Sequence, residues 1–125
     1  MTHLDTSALV DALTGPRRSL PKLRQIIERG ERTMVSAIVL YEWLRGPRRP
    51  EELEDQELLF PGDAAIPFGP REAAEAARLY RAMATARRRE IDLAIAACAM
   101  VQDAALWTLN PEDFDDIPGL KLTER

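Results

Sequence analysis

The sequence predicts an α/β fold: a three-layer α/β/α sandwich around a central, mainly parallel sheet of four to five strands. Three observations lead there. Short β-rich runs alternate with helical runs along the whole chain, which implies a parallel sheet with helices on both faces. Helical runs stop at Gly/Pro pairs, Gly15-Pro16 and Gly46-Pro47, as helices do where the chain must turn. The run "EIDLAIAACAMVQDA" is apolar nearly all round, so it belongs in the interior.

In chain order, residues 1–5 form a short strand and "SALVDALTG" a helix ending at Gly15. "LPKLRQIIERG" is a second helix, with Pro21 early and Gly30 past its end. "TMVS" is a second strand. "AIVLYEWLRG" and "PEELEDQELLF" are two further helices, and "AAIPF" is a short strand. Residues 69–88 form one long amphipathic helix, with Ala73, Ala76, Ala77 and Tyr80 on one stripe. The apolar helix 90–104 follows, then the strand "ALWTL", a helical turn "PEDF" and a last strand "LKL". No repeat or linker interrupts the pattern, so residues 1–125 read as a single domain.

Composition narrows the function classes. A hydrophobic fraction of 46% suits a globular core. No apolar run reaches the roughly 20 residues that span a bilayer. No basic segment precedes an apolar one as in a secretory signal, so the cytoplasm is the expected compartment. The single cysteine, Cys98, sits in an apolar run and reads as a core residue. Net charge is −4, but the charges are segregated. Bases cluster at Arg17, Arg18, Lys22 and Arg24, at Arg45, Arg48 and Arg49, and at Arg87, Arg88 and Arg89, while acids crowd into "EELEDQE" and "NPEDFDD". Such a surface can attract a polyanion despite its negative total.

Three carboxylates lie where structure alone would not place them. Asp5 ends the first strand, Glu42 lies inside "SAIVLYEWL", and Asp92 lies inside "EIDLAIAACAMV". Each has an ordinary reading. Asp5 can cap a helix, Glu42 can pair with Arg45 one turn on, and Asp92 can favour a helix dipole. A single cause for all three is a divalent cation that neutralises a carboxylate cluster. Asn110 follows a late strand as Asp5 follows the first, and open parallel sheets bind ligands at the carboxyl ends of their strands. Asp113 lies within reach of the same edge. Oxygen-only ligands point to Mg²⁺ or Mn²⁺. A lone histidine, His3, leaves nucleophilic devices without a base, and no Cys/His zinc spacing or phosphate loop is present.

The pieces "LDTSAL", "SAIVLYEWLRG", "EIDLAIAACA" and "LWTLNPEDF", in that order and spacing, resemble the PIN-domain ribonucleases, and within them the VapC-like toxins of bacterial and archaeal toxin–antitoxin pairs. The resemblance covers essentially the whole chain. It implies that the family's acidic cluster falls on Asp5, Glu42 and Asp92, with its Asp-or-Asn position on Asn110. It places supporting hydroxyls at Ser7 and Thr108. It implies a Mg²⁺- or Mn²⁺-dependent endoribonuclease acting on single-stranded or looped RNA, a cognate antitoxin and a homodimer, with Arg45, Arg87, Arg88 and Arg89 as rim groups for RNA phosphates. Two other readings stay open. One is a non-catalytic scaffold of this fold. The other is a Mg²⁺-binding, receiver-like signalling domain, for which Lys121 would be the late lysine.

Overall fold

A computed structural model describes residues 1–123. Its four strands are β1 (Thr2–Leu4), β2 (Thr33–Met34), β3 (Ala105–Trp107) and β4 (Lys121–Leu122). They form one parallel sheet in the order β2-β1-β3-β4. The helices are α1 (Thr6–Leu13), α2 (Leu20–Glu28), α3 (Ala37–Arg45), α4 (Pro50–Leu59), α5 (Pro70–Ala82) and α6 (Glu90–Val101). The α/β class and the parallel sheet expected from the sequence are both found.

The topology has a consequence for function. After β1 the chain crosses to β2 on one side, and β3 later pairs on the other side of β1. The crevice between the carboxyl ends of β1 and β3 is therefore the switch point where ligands bind in such sheets. Both strands are apolar or buried along their length, and Leu4 and Leu106 are fully buried. α6 carries the apolar run into the interior, with Leu93 to Ala99 all buried, and packs most extensively on α5. The buried hydrophobics join into one cluster, with Trp43 of α3 among its largest members. Cys98 of α6 is buried too, and burial pushes its thiol pKa up to about 11.

Two elements differ from the sequence expectation. The helix read over 69–88 ends at Ala82. Residues 83–89 turn back instead, burying Ala86 and placing Arg88 at a φ of 68°. Helix propensity alone would continue through "ATARR", but α6 must start alongside α5, and that needs a reversal. The strand read as "AAIPF" shrinks to a single parallel bridge, Ser36 to Ile66. Ala64 is part of a one-turn 3₁₀ helix, and Pro67 offers no N–H to extend a ladder. Ser36 also caps α3, accepting the Val39 N–H at 3.2 Å.

Candidate active site

Asp5 stands where β1 becomes α1. Its backbone has N-cap geometry (φ −72°, ψ 160°), yet its side chain makes no capping hydrogen bond. The carboxylate turns instead towards the neighbouring strand end. The register Leu4 to Trp107 places Asp5 beside Thr108, and the Asp5 N–H donates to the Trp107 carbonyl at 2.8 Å. Thr108 Oγ1 then donates to Asp5 Oδ2 at 2.7 Å, and Ser7 Oγ donates to the same oxygen at 3.0 Å.

Both hydroxyls are held from behind. The Leu109 N–H donates to Ser7 Oγ at 3.0 Å, and the Asn110 N–H donates to Thr108 Oγ1 at 3.0 Å. Each hydroxyl oxygen thus receives a backbone proton, which leaves its own proton for the carboxylate. Asp5 is only 5% exposed, so this double donation satisfies a group that burial would otherwise penalise.

Glu42 reaches the same neighbourhood from α3. Thr6 Oγ1 donates to Glu42 Oε1 at 2.5 Å, tying the side chain to the start of α1. Arg45 also pairs with Glu42 Oε2 at 3.3 Å, so the ordinary helix pair is present as well. That pair is exposed and contributes little. Thr6 is the residue that sequence reasoning missed. Its signal was its place between Asp5 and Ser7, but only the fold shows that it faces Glu42.

Asp92 lies in the first turn of α6, where the helix dipole favours an acid. Its pKa is nevertheless raised to about 6, first by burial and then by the charges of Asp5, Asp113 and Glu42, with Arg89 opposing. Asp5, Asp113 and Glu42 are therefore all close enough to Asp92 to act on it. Among the described residues, however, no three His, Cys, Asp or Glu side chains form a ready-made metal cage. Mg²⁺ commonly binds through one or two carboxylates and keeps several waters. An all-oxygen set of acids matches the donors that such hard cations take.

The remaining sequence candidates fall at the margin. Asn110 is exposed and joins the network through its backbone N–H. Arg45 pairs with Glu42 and lies over the Tyr41 ring. Arg87 and Arg88 are exposed. Arg89 is committed elsewhere: it grips both Asp116 oxygens, at 2.6 and 2.8 Å, and the Asp113 carbonyl at 2.9 Å. It fastens the segment after β3 to the start of α6. Arg89→Ala is expected to destabilise the protein by about 1 kcal/mol, the range for a charged hydrogen-bonded pair reduced by solvent screening. A denaturant midpoint unchanged from the unmodified protein would contradict that role.

His3 and Lys121 lie outside the crevice. His3 is buried in β1 with Nε2 2.6 Å from Gln102 Oε1. Lys121 pairs in register with Ala105, at the amino ends of the strands, and binds Asp103 at 2.8 Å. A receiver-like site needs its lysine at the carboxyl edge, beside the acid. The sheet puts it at the other end.

The PIN-domain family model matches residues 3–120. The chain belongs to the PIN-domain family. It is 32% identical over 123 residues to Ribonuclease VapC19 of Mycobacterium tuberculosis (strain ATCC 25618 / H37Rv), covering 97% of this chain and 98% of that protein. The resemblance to the VapC-like members is thereby borne out. In fold, this PIN-domain chain is similar to the DNA-bound VapBC of Salmonella typhimurium, at a TM-score of 0.78 and 20% identity, over 98% of this chain and 96% of the other. It is also similar to a toxin–antitoxin complex from Klebsiella pneumoniae, at a TM-score of 0.72 and 23% identity, over 96% and 95% of the two chains. No helix among the described residues is long and apolar enough to cross a membrane.

Proposed function

We propose that this PIN-domain protein is a metal-dependent endoribonuclease that hydrolyses phosphodiesters in single-stranded or looped RNA, and that it is the toxin of a toxin–antitoxin pair. The observation that carries the reading is Asp5. A buried carboxylate at a helix start makes no cap, accepts from two hydroxyls, and lies close enough to Asp92 for its charge to help raise that acid's pKa. The full-length similarity to a VapC ribonuclease supports the reading.

In this mechanism Asp5 and Asp92 would hold a Mg²⁺ or Mn²⁺ ion, and Glu42 and Asn110 would support the same site. The cation, when bound, lowers the pKa of water and offsets charge on the phosphate. Ser7 and Thr108 fix the Asp5 carboxylate in one orientation. Thr6 holds Glu42 towards the crevice. Asp113 adds to the negative field that draws a cation in. The test is cleavage of labelled RNA with Mn²⁺ and with EDTA. RNA that stays intact in both would defeat the reading.

The hydroxyl pair supplies a sharper prediction. Ser7→Ala with Thr108→Ala is expected to lower cleavage by about 10–100-fold, the usual cost of losing groups that orient a metal ligand. Raising Mn²⁺ should recover part of the loss. A double variant with unchanged activity at every Mn²⁺ concentration would leave Asp5 orientation without a role.

Two partners belong to the proposal. One is a cognate antitoxin, supported by the fold shared with a complex named as toxin–antitoxin. The other is a second copy of this chain. Tyr41 and Leu44 of α3 are 58% and 53% exposed, and Tyr80 of α5 and Ile91 of α6 are 43% and 48% exposed. Burying such residues between two copies would favour a homodimer. Light scattering at tens of micromolar should report twice the chain mass, and a strict monomer would rule the dimer out.

A further inference from the structure

Arg89 gathers three segments beside Asp92. It holds the N-cap position of α6, one turn before that acid. One terminal nitrogen of its guanidinium donates to Asp116 Oδ2 at 2.8 Å and to Thr85 Oγ1 at 3.2 Å. The other donates to Asp116 Oδ1 at 2.6 Å and to the Asp113 carbonyl at 2.9 Å. The hydrogen bond from Arg89 holds the Asp116 carboxyl below the usual range, so both partners are charged at neutral pH. The turn 83–89, the start of α6 and the stretch that follows β3 thus meet at one side chain.

That last stretch carries Asp113, at the end of a one-turn 3₁₀ helix (Pro111–Asp113). Asp113 is exposed, and its charge is one of those acting on Asp92. The stretch is bonded to the site at its start, where the Asn110 N–H donates to Thr108. Phe114 and Ile117 are buried and anchor it from the inside. Arg89 holds it from the outside, at Asp113 itself and three residues on. A two-pronged guanidinium–carboxylate contact fixes direction as well as distance, which a single hydrogen bond does not.

We propose that Arg89 is a positioning residue of the acidic site, its grip on Asp116 and on the Asp113 carbonyl holding Asp113 within reach of Asp92. The proposal rests on the metal-dependent endoribonuclease reading and adds the side chain that sets the spacing of two of its acids. Charge alone argues for the opposite effect. A guanidinium next to Asp92 repels an incoming cation, so on that ground its removal would tighten metal binding. Position argues that an Asp113 free to move off from Asp92 attracts the cation less, so that binding weakens. The opposite signs make the two effects separable. Arg89→Lys separates them most cleanly, because it keeps the charge and loses the fork.

The experiment measures Mn²⁺ binding to the full chain by calorimetric titration, without RNA. Arg89→Lys and Asp116→Ala should each raise the Mn²⁺ Kd about tenfold, the lower end of what losing a supporting contact costs a metal site. Asp113→Asn keeps the carbonyl that Arg89 grips and should also weaken binding. Adding Arg89→Lys to Asp113→Asn should then cost nothing further, since the clamp acts through that acid. Arg78→Ala, which breaks an exposed pair with Glu75 on α5, is the control and should leave the Kd unchanged. Metal-free melts confirm that each variant is folded. An unchanged Kd in Arg89→Lys and Asp116→Ala, even with lowered melting temperatures, would make the clamp purely structural and overturn the proposal. Tighter Mn²⁺ binding by Arg89→Ala, a full additive loss in the double variant, or no Mn²⁺ binding by the unmodified protein would overturn it too. Cleavage of RNA by the unmodified protein, and its loss in Asp5→Asn, report on the endoribonuclease reading separately.

Discussion

Asp5→Ala is expected to reduce RNA cleavage by about a thousandfold, the scale on which removing one well-placed electrostatic group acts. The same substitution should leave the fold intact. Asp5 is buried, and its loss leaves the Ser7 and Thr108 hydroxyls without their acceptor, at a cost of about 1–2 kcal/mol. Removing the Asp5 charge that acts on Asp92 offsets part of that cost. The net change in stability should therefore be small, so that lost activity reports on chemistry rather than on unfolding. Asp5→Asn tests the point more gently, since it keeps an acceptor oxygen and loses only the charge. Cleavage by either variant at the unmodified rate, over a full Mn²⁺ series, would return Asp5 to the status of a residue at a helix start.

The second large effect is on stability and depends on pH. Asp92 has a folded pKa of about 6 against an ordinary value of 3.8. A raised carboxyl pKa means that the folded state holds its proton where the unfolded state has lost it. Between about pH 4 and 6, stability from this group therefore falls as pH rises, and above pH 6 the full penalty is present. Two units would correspond to about 3 kcal/mol, reduced to about 1–2 kcal/mol by solvent at this half-open position. Without metal, Asp92→Asn should then raise the melting temperature at neutral pH by about 3–6 °C. The gain should shrink to a small remainder near pH 4, where the folded carboxyl is protonated and the unfolded one is about half protonated. Saturating Mn²⁺ should reverse the order, because it binds the native site of the unmodified protein and stabilises it by mass action. Melting curves for the two proteins at pH 4 and pH 7.5, with and without Mn²⁺, decide it. A lower melting temperature for metal-free Asp92→Asn at pH 7.5 would show that the charge is compensated within the protein.

Much of the fold was legible because secondary structure leaves a local signature. The alternation of strand and helix, the Gly and Pro stops and the all-apolar run of α6 each depend on neighbours within a few residues. The same locality explains the misreadings. "ATARR" looks helical on its own, and the turn at 83–89 exists because α6 must pack beside α5. "AAIPF" has the composition of a strand, and only its position at the sheet margin reduces it to one bridge.

The candidate site divides in the same way. That acids stand at the end of β1 and within two apolar helices, and that charging such places needs compensation, can be read from residue order alone. Residue order left each acid with an ordinary alternative, because capping, a helix pair and a dipole are all local arrangements. Tertiary structure decided among them for Asp5. The register between β1 and β3 sets Thr108, 103 positions away, against its carboxylate, and the cap is not made. It also joined Thr6 to Glu42 and committed Arg89 to Asp116, neither of which any spacing foretold. Sequence periodicity fixes which face of an element is apolar. Which polar groups meet at the edge of a sheet is fixed by strand order and register, and those follow from packing the whole chain.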